Sequence, residues 1–397
     1  VALAEDIIVR LNALQDEMVQ IRRDLHMHPE LSFHEHRTAG LVADRQRALG
    51  LDVRTGVGGM GVVAVLTGGR PGPTVAVRAD FDALPVVEEN DVPYRSLTEG
   101  VMHACGHDAH TAIALGVAHA LAEVRAELPG RVVFVHQHAE EQDPGGARAM
   151  VEDGAVDGVD AIFATHMEAH LPVGTIGHTD GYVLAASDDF FIDVRGVPGH
   201  AAGPQDTVDV VAAGAQLVGS LQQVVSRKID PMSPAVVTVG SFHAGEAPNV
   251  IPEAAHLSGT VRAFDEQVRA DIHTWLERIA VQTAAAFGAT CEVRYRPSTL
   301  AVKNDPALDS VVSAAAAQVP AVEHAVRIEP NLGAEDFSCF QQRVPGEYFL
   351  TGCSNVARGI VSPYHSPTFD IDERALQVGA QTMAVSVLRF LQDGAAA

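Results

Sequence analysis

At 397 residues the chain is longer than one hydrophobic core usually organises, so two or three folding units are expected. A composition of 47% hydrophobic and 20% charged residues, with no apolar run near the ~20 residues of a membrane span, excludes a membrane-spanning helical chain and a disordered one. Against 27 basic residues stand 51 acidic ones, and the net charge of -24 repels phosphate backbones and anionic lipid, so neither nucleic acid nor a membrane is an expected partner.

In chain order, Ile7, Leu11, Leu14, Met18, Ile21 and Leu25 recur every three or four residues and predict one buried helical face, closed by Pro29. A second amphipathic stretch ends at Leu49-Gly50, and Val62 to Leu66 and Val75 to Val77 read as short buried strands. A helix over 109–125, a strand over 132–135, a short helix over 147–152 and a strand over 161–165 follow. That alternation predicts an α/β layer: a mostly parallel sheet with helices on both faces. Near Gly174 the texture changes, and longer half-exposed strands over 188–194, 235–242 and 254–263, with helices over 208–226 and 265–287, predict an α+β insert. After Pro297 the α/β texture resumes and ends in a helix over 375–391. The expected organisation is a discontinuous catalytic domain, 1–181 and 298–397, with a second domain, 182–297, inserted in it.

The four cysteines, Cys105, Cys291, Cys339 and Cys353, are too few and too scattered for a disulfide framework and suit a reducing compartment. The first ten residues lack the basic-then-apolar signature of a secretory signal, which makes the cytoplasm the expected location.

Open α/β sheets place their ligands past the carboxyl ends of strands, and here the chemistry-bearing residues gather at such ends. In His103-Ala104-Cys105-Gly106-His107-Asp108 a thiol and an imidazole flank a glycine that permits a tight turn, a pair able to chelate one ion or bridge two. Glu140-Glu141 follows the strand over 132–135. Beside a metal, adjacent carboxylates can divide the work, one ligating while the other takes a proton from the attacking water. His166 closes the next strand, and His365 lies in Pro363-Tyr364-His365-Ser366-Pro367. Cys105, His107, Glu141, His166 and His365 are one potential ligand more than a tetrahedral catalytic zinc with its water accepts, so two ions fit better than one. The run Arg78-Ala79-Asp80-Phe81-Asp82-Ala83-Leu84-Pro85 adds an Asp-x-Asp able to orient a ligand or to bind metal itself.

These motifs, with Ala-Glu-Glu (139–141), Gly-His-Ala-Ala (199–202), Asn-Val-Ile-Pro (249–252), Gly-Ala-Glu-Asp-Phe (333–337) and His-Ser-Pro (365–367), occur in order over nearly the whole chain. They resemble the aminoacylase and carboxypeptidase metallopeptidase family, in the amidohydrolase branch that includes hippurate hydrolases and hydrolases of indole-acetyl amino acids. The resemblance implies a dinuclear catalytic domain and an inserted lid that also serves dimerisation, in a homodimer or a dimer of dimers. It implies two divalent ions per chain, zinc or manganese, on Cys105, His107, Glu141, His166 and His365, with Glu140 as general base and Asp82 supporting the centre. Asp80 falls where other branches carry a histidine ligand. His200 matches a histidine that stabilises the oxyanion, usually from across the dimer, and Asn249 and Arg262 fall where the lid meets the substrate, the guanidinium suited to a carboxylate. The implied reaction is hydrolysis of the amide of a small N-acyl amino acid, acetyl, benzoyl or arylacyl, to a carboxylic acid and a free amino acid.

Three departures from the family pattern are expected to line the pocket: His138 in place of a proline, Gln142-Asp143 in place of a glycine, and Met167-Glu168 in place of an apolar pair. Three rival readings stand beside the leading one. They are a dipeptidase or carboxypeptidase with the same centre, a cysteine amidase using Cys105 with His107 or His110 as base, and a binding protein that kept the fold.

Overall fold

The computed structural model describes residues 2–396, and the chain divides into two compact units. The first comprises the chain up to Val183, Lys303–Glu329 and the segment from Asp336 onward; the second comprises Leu184–Val302 and Pro330–Glu335.

In the first unit an eight-stranded sheet runs in the order Asp52–Val57, Gly61–Thr67, Pro129–Gln137, Arg70–Asp80, Ala161–Pro172, Gly346–Ser354, Thr175–His178, His324–Arg327. The four central strands are parallel, and antiparallel pairings occur toward both flanks. Side chains alternate across each strand, so Val75, Val77 and Ala79 join one face with Phe134, Phe163 and Phe349. That face is covered by the helices Gln15–Met27, His107–Glu123 and Arg374–Ala396, whose Met18, Ala112, Ile113, Leu376 and Leu388 complete the core. On the opposite face Arg78 and Gln137 bond to Asp336, at 3.3 and 2.6 Å, which also accepts the Ala147 N–H at the start of the short helix Ala147–Glu152. The helix His107–Glu123 is buried on almost every side, as expected of a run that is apolar all round.

In place of the single N-terminal helix expected from the periodicity there are two, Ala2–Ala13 and Gln15–Met27; Leu14 between them stays near helical geometry, at φ −89° and ψ −1°, and the buried stripe continues across the junction. Among the described residues no helix is long and apolar enough to cross a membrane.

The second unit is built on a four-stranded antiparallel sheet, Ala235–Ala244, Ala254–Ala263, Ala186–Arg195, Thr290–Thr299. Alternate residues of Ala186–Arg195 are buried, and Phe190, Ile192 and Val194 pack on Leu217, Leu221, Ile272 and Leu276 of the helices Val210–Lys228 and Glu266–Ala286. Both helices start on an aspartate cap: Asp209 accepts from Val211 and Ala212 N–H, and Asp265 from Gln267 and Val268 N–H, each cap contributing about 1 kcal/mol. Asp188 breaks the apolar alternation, and its buried carboxylate is matched by Arg269 Nε at 2.7 Å, Tyr295 O–H at 2.6 Å and Ser298 N–H at 3.1 Å. The sequence reading leaves 330–335 with the first unit, whereas it groups with the second: Asn331 bridges Leu184, and Gly333 O accepts the Ala185 N–H at 2.8 Å.

Candidate metal centre

The parallel strands Arg70–Asp80 and Pro129–Gln137 end together, and their neighbour Ala161–Pro172 runs on past His166 rather than closing there as the sequence reading expects, so that Asp80, the turn at 139–141 and His166 come side by side. The helix His107–Glu123 begins at the same edge. Gly106, immediately before it, has φ +89°, and a Cβ there would lie 2.9 Å from the Met167 side chain, so both backbone and space call for glycine.

Cys105 and His107, on either side of Gly106, reach the donors of the neighbouring strands. Cys105 Sγ lies 3.5 Å from His166 Nε2, and Glu141 Oε1 lies 3.8 Å from His107 Nε2 and 3.2 Å from His365 Nε2. The ligand atoms of Cys105, His107 and His166 all lie within 4.8 Å of one another, as do those of Cys105, Glu141 and His365. Cys105 is the donor common to both triads. A third group joins His107 and Glu141 to Glu140.

The imidazoles are turned so that their Nε2 atoms face the cluster. His107 Nδ1 is 3.2 Å from Asp82 Oδ1, and His166 Nδ1 donates to Met167 O at 2.7 Å. Asp82 Oδ2 in turn accepts from Ser32 O–H at 2.7 Å and from the Glu141 N–H at 3.0 Å, so one carboxylate orients an imidazole and a neighbouring ligand together. His107 Nε2 is buried and has no hydrogen-bond partner, although oxygens of Asp80 and Glu141 stand 3.8 Å away. Buried polar atoms are nearly always paired, and a thiol, imidazoles and carboxylates aimed at one point are the donor set of a borderline divalent cation. The residues present therefore fit a metal centre.

Electrostatics agrees. Burial pushes the Cys105 thiol well above its usual range, and Glu141 and Glu140 push it further, so a thiolate there requires a cation. Burial alone would lower His107, but Asp80, Asp82 and Glu141 outweigh it and hold the ring at about 10, so these carboxylates call for positive charge at that point, a proton on the ring or a divalent cation that displaces it. His166 is held well below its ordinary value by burial and by neighbouring His110, which leaves it neutral and able to ligate.

Asp80, one of the two aspartates of the Asp-x-Asp element, is engaged elsewhere: Oδ1 is 2.6 Å from His110 Nδ1, and Oδ2 is 2.7 Å from Arg78 Nη1. His110 Nε2 accepts the Met167 N–H at 2.9 Å, so both of its nitrogens are occupied and Asp80 is tied to the strand end beside His166. Sequence reasoning missed Ser32 and Glu35. Glu35 Oε1 accepts the Ala139 N–H at 2.8 Å, and burial raises its pKa to about 7. Ala139 and His365 are non-glycine residues with φ of +50° and +62°, a strain of about 1–3 kcal/mol each that the surrounding bonds must hold. Sequence reasoning also passed over Arg22, which is fully buried and bonds Asp108 and Asp370, each at 2.9 Å, while His26 joins Asp108 to Glu88. The signal available was a charged residue inside an apolar helical pattern.

Of the three departures expected to line the pocket, His138 is buried edge-on to Phe33 with ring centres 5.9 Å apart, and Met167 is buried over Gly106. Glu168 bonds to Tyr364 O–H at 2.8 Å. Gln142 and Asp143 are exposed.

In the second unit, His200 and Asn249 lie together on a two-stranded ribbon: His200 pairs with Val250, and Asn249 O accepts the Ala201 N–H at 3.1 Å. His200 is exposed, and its Nδ1 accepts the Ala202 N–H at 3.0 Å. Arg262 lies apart from them on Ala254–Ala263, its guanidinium folded back on Thr260 Oγ1 and on Val261 O at 3.0 Å.

Residues 76–389 match the family described as Peptidase family M20/M25/M40. An N-acyl-L-amino acid amidohydrolase of Geobacillus stearothermophilus is 44% identical over 76% of this chain and 83% of its own length. Thermostable carboxypeptidase 2 of Saccharolobus solfataricus is 38% identical over 98% of this chain and 99% of its own. The crystal structure of a dinuclear metal-binding M20 peptidase of Bacillus subtilis superposes with a TM-score of 0.85 at 36% identity, covering 96% of this chain and 99% of that one. With a matched domain over most of its length and relatives this similar end to end, the chain belongs to peptidase family M20/M25/M40 and is a hydrolase of amide bonds.

Proposed function

We propose that the chain hydrolyses N-acyl amino acids at a dinuclear centre of zinc or manganese held by Cys105, His107, Glu141, His166 and His365. The observation that carries this reading is the pair of overlapping triads that share Cys105, with Glu140 beside them. Divalent ions bound there would supply positive charge that polarises the amide carbonyl and eases loss of a proton from water.

Glu140 takes the proton of the attacking water and then hands it to the departing amine. Asp82 keeps the His107 ring in place and, through the Glu141 N–H, keeps the glutamate pair in register with it. His200 donates to the tetrahedral oxyanion, a bond of the kind worth about 3 kcal/mol in a transition state. Arg262 and Asn249 bind the carboxylate of the amino-acid portion, which requires the guanidinium to leave Thr260. In this reading the second unit is a lid through which a homodimer, or a dimer of dimers, assembles, and the enzyme works in the cytoplasm on small molecules.

A dipeptidase or carboxypeptidase would use the same residues, and the carboxypeptidase relative favours keeping that reading second. The test joins metal analysis to amine release from N-acyl amino acids and from dipeptides, with Glu140→Gln beside the unaltered chain. Two ions per chain, release from the acyl substrates, and a loss on the order of 10³-fold in kcat with metal retained in Glu140→Gln are expected. Release from dipeptides alone overturns the substrate class, and chelator-resistant release returns Cys105 to the role of nucleophile.

A further inference from the structure

We propose that Glu168 and Tyr364 are positioning residues that latch the His365 turn to the strand carrying His166, and so set how tightly the chain holds the ion shared by Cys105, Glu141 and His365. This rests on the dinuclear reading above.

Glu168 is almost wholly buried, and its two oxygens have separate duties: Oε2 accepts from Tyr364 O–H at 2.8 Å and Oε1 from His170 N–H at 2.8 Å. A carboxylate taken out of water is retained where its bonds hold something in place. What these hold is the Tyr364 ring, which stands edge-on to His166 at 5.7 Å and to His170 at 5.9 Å.

Tyr364 directly precedes His365. The turn around them is otherwise open, with Val361, Pro363, His365 and Pro367 all exposed. Two backbone bonds tie it down, His365 N–H to Ala104 O at 2.7 Å and Glu89 N–H to Pro367 O at 2.8 Å. Neither reaches the strand Ala161–Pro172, so the tyrosine supplies the link between the two ligand-bearing segments. Cys105, His107 and His166 have no such need, because they sit on or next to a buried helix and a buried strand. The two triads are therefore unequal: one is fixed by the core, while the other has a donor, His365, on an open turn held by two backbone bonds and by the tyrosine's link to the His166 strand.

The test is cobalt titration of the metal-depleted full chain, with bound ion measured by equilibrium dialysis and the thiolate-to-cobalt absorption followed alongside. Tyr364→Phe keeps the ring and its packing. It should bind the first ion, with its thiolate absorption, as the unaltered chain does, and the second on the order of tenfold more weakly. Glu168→Leu should behave in the same way, whereas Glu168→Gln, whose one amide oxygen can still accept from the tyrosine while giving up the His170 N–H, should recover most of the affinity for the second ion. Unchanged affinity for both ions in Tyr364→Phe and Glu168→Leu overturns the latch, as does equal weakening of both ions or a failure of Glu168→Gln to differ from Glu168→Leu. An unaltered chain that takes up fewer than two cobalt ions overturns the dinuclear reading itself, and the latch with it.

Discussion

The first unit buries its chemistry-bearing groups at the ends of parallel strands, while the second carries its own on an exposed ribbon and on an antiparallel strand. Cys105 and His107 are buried, and His107 Nε2 has no partner. His200 and Asn249 are exposed, and Arg262 Nη1 already bonds its own strand. Donors that are buried, oriented and unsatisfied make a preorganised ion site, because the cost of desolvating them is met only when a cation arrives. Exposed groups carry no such cost and are free to engage a substrate transiently. Under the proposed function, the difference puts the two triads that share Cys105 in the first unit.

The largest effect should come from removing the donor that both triads share. Cys105→Ala is expected to lose both ions and all measurable turnover, and metal analysis that finds two ions retained would break the comparison at its centre. Next comes His200→Ala, expected to keep two ions per chain while kcat/KM falls on the order of 10²-fold. Loss of metal in that variant would mean that the second unit takes part in ion binding.

The smallest effect sharpens the comparison within the first unit. Glu347 is fully buried with neither oxygen hydrogen-bonded, yet among the described residues it belongs to no group able to hold an ion. Burial, then Asp309 and Asp305, raises its pKa well above 4.5. A group raised in the folded state contributes stability that is fully present below its unfolded pKa and is lost as pH rises toward the folded one. Glu347→Gln should therefore exceed the unaltered chain in stability by on the order of 1 kcal/mol at pH 8, with little difference at pH 5. Urea midpoints at the two pH values check this, and a gap that does not widen with pH would show that Glu347 is charged in the folded chain.

Much of the site was legible because its parts are short and local. Cys105-Gly106-His107 declares itself in three residues, and Glu140-Glu141 follows a run of valines that could only be a buried strand. What escaped was long-range or lacked a pattern. Glu168 and Tyr364 are 196 residues apart, and nothing in either neighbourhood announces the other. Ser32 and Glu35 lie in a loop, where no periodicity separates a working side chain from a solvated one. The strands Asp52–Val57 and His324–Arg327 were missed for a different reason: they lie at the edges of the sheet, are largely exposed, and show neither alternation nor an apolar run. Gly346–Ser354 was missed although it is buried on both faces, since Glu347 and Thr351 interrupt its apolar run.

The fit between Gly106 and Met167 bears on whether this centre can be transplanted. The hexapeptide 103–108 looks portable, a compact ion-binding cassette at the head of a helix. Yet the space where a Cβ would stand at Gly106 is filled by a side chain from another strand, the same strand that offers His166. A designer grafting the cassette onto a different scaffold would have to import that strand as well, at the same separation, or the thiol and the imidazole would arrive without the wall that aims them.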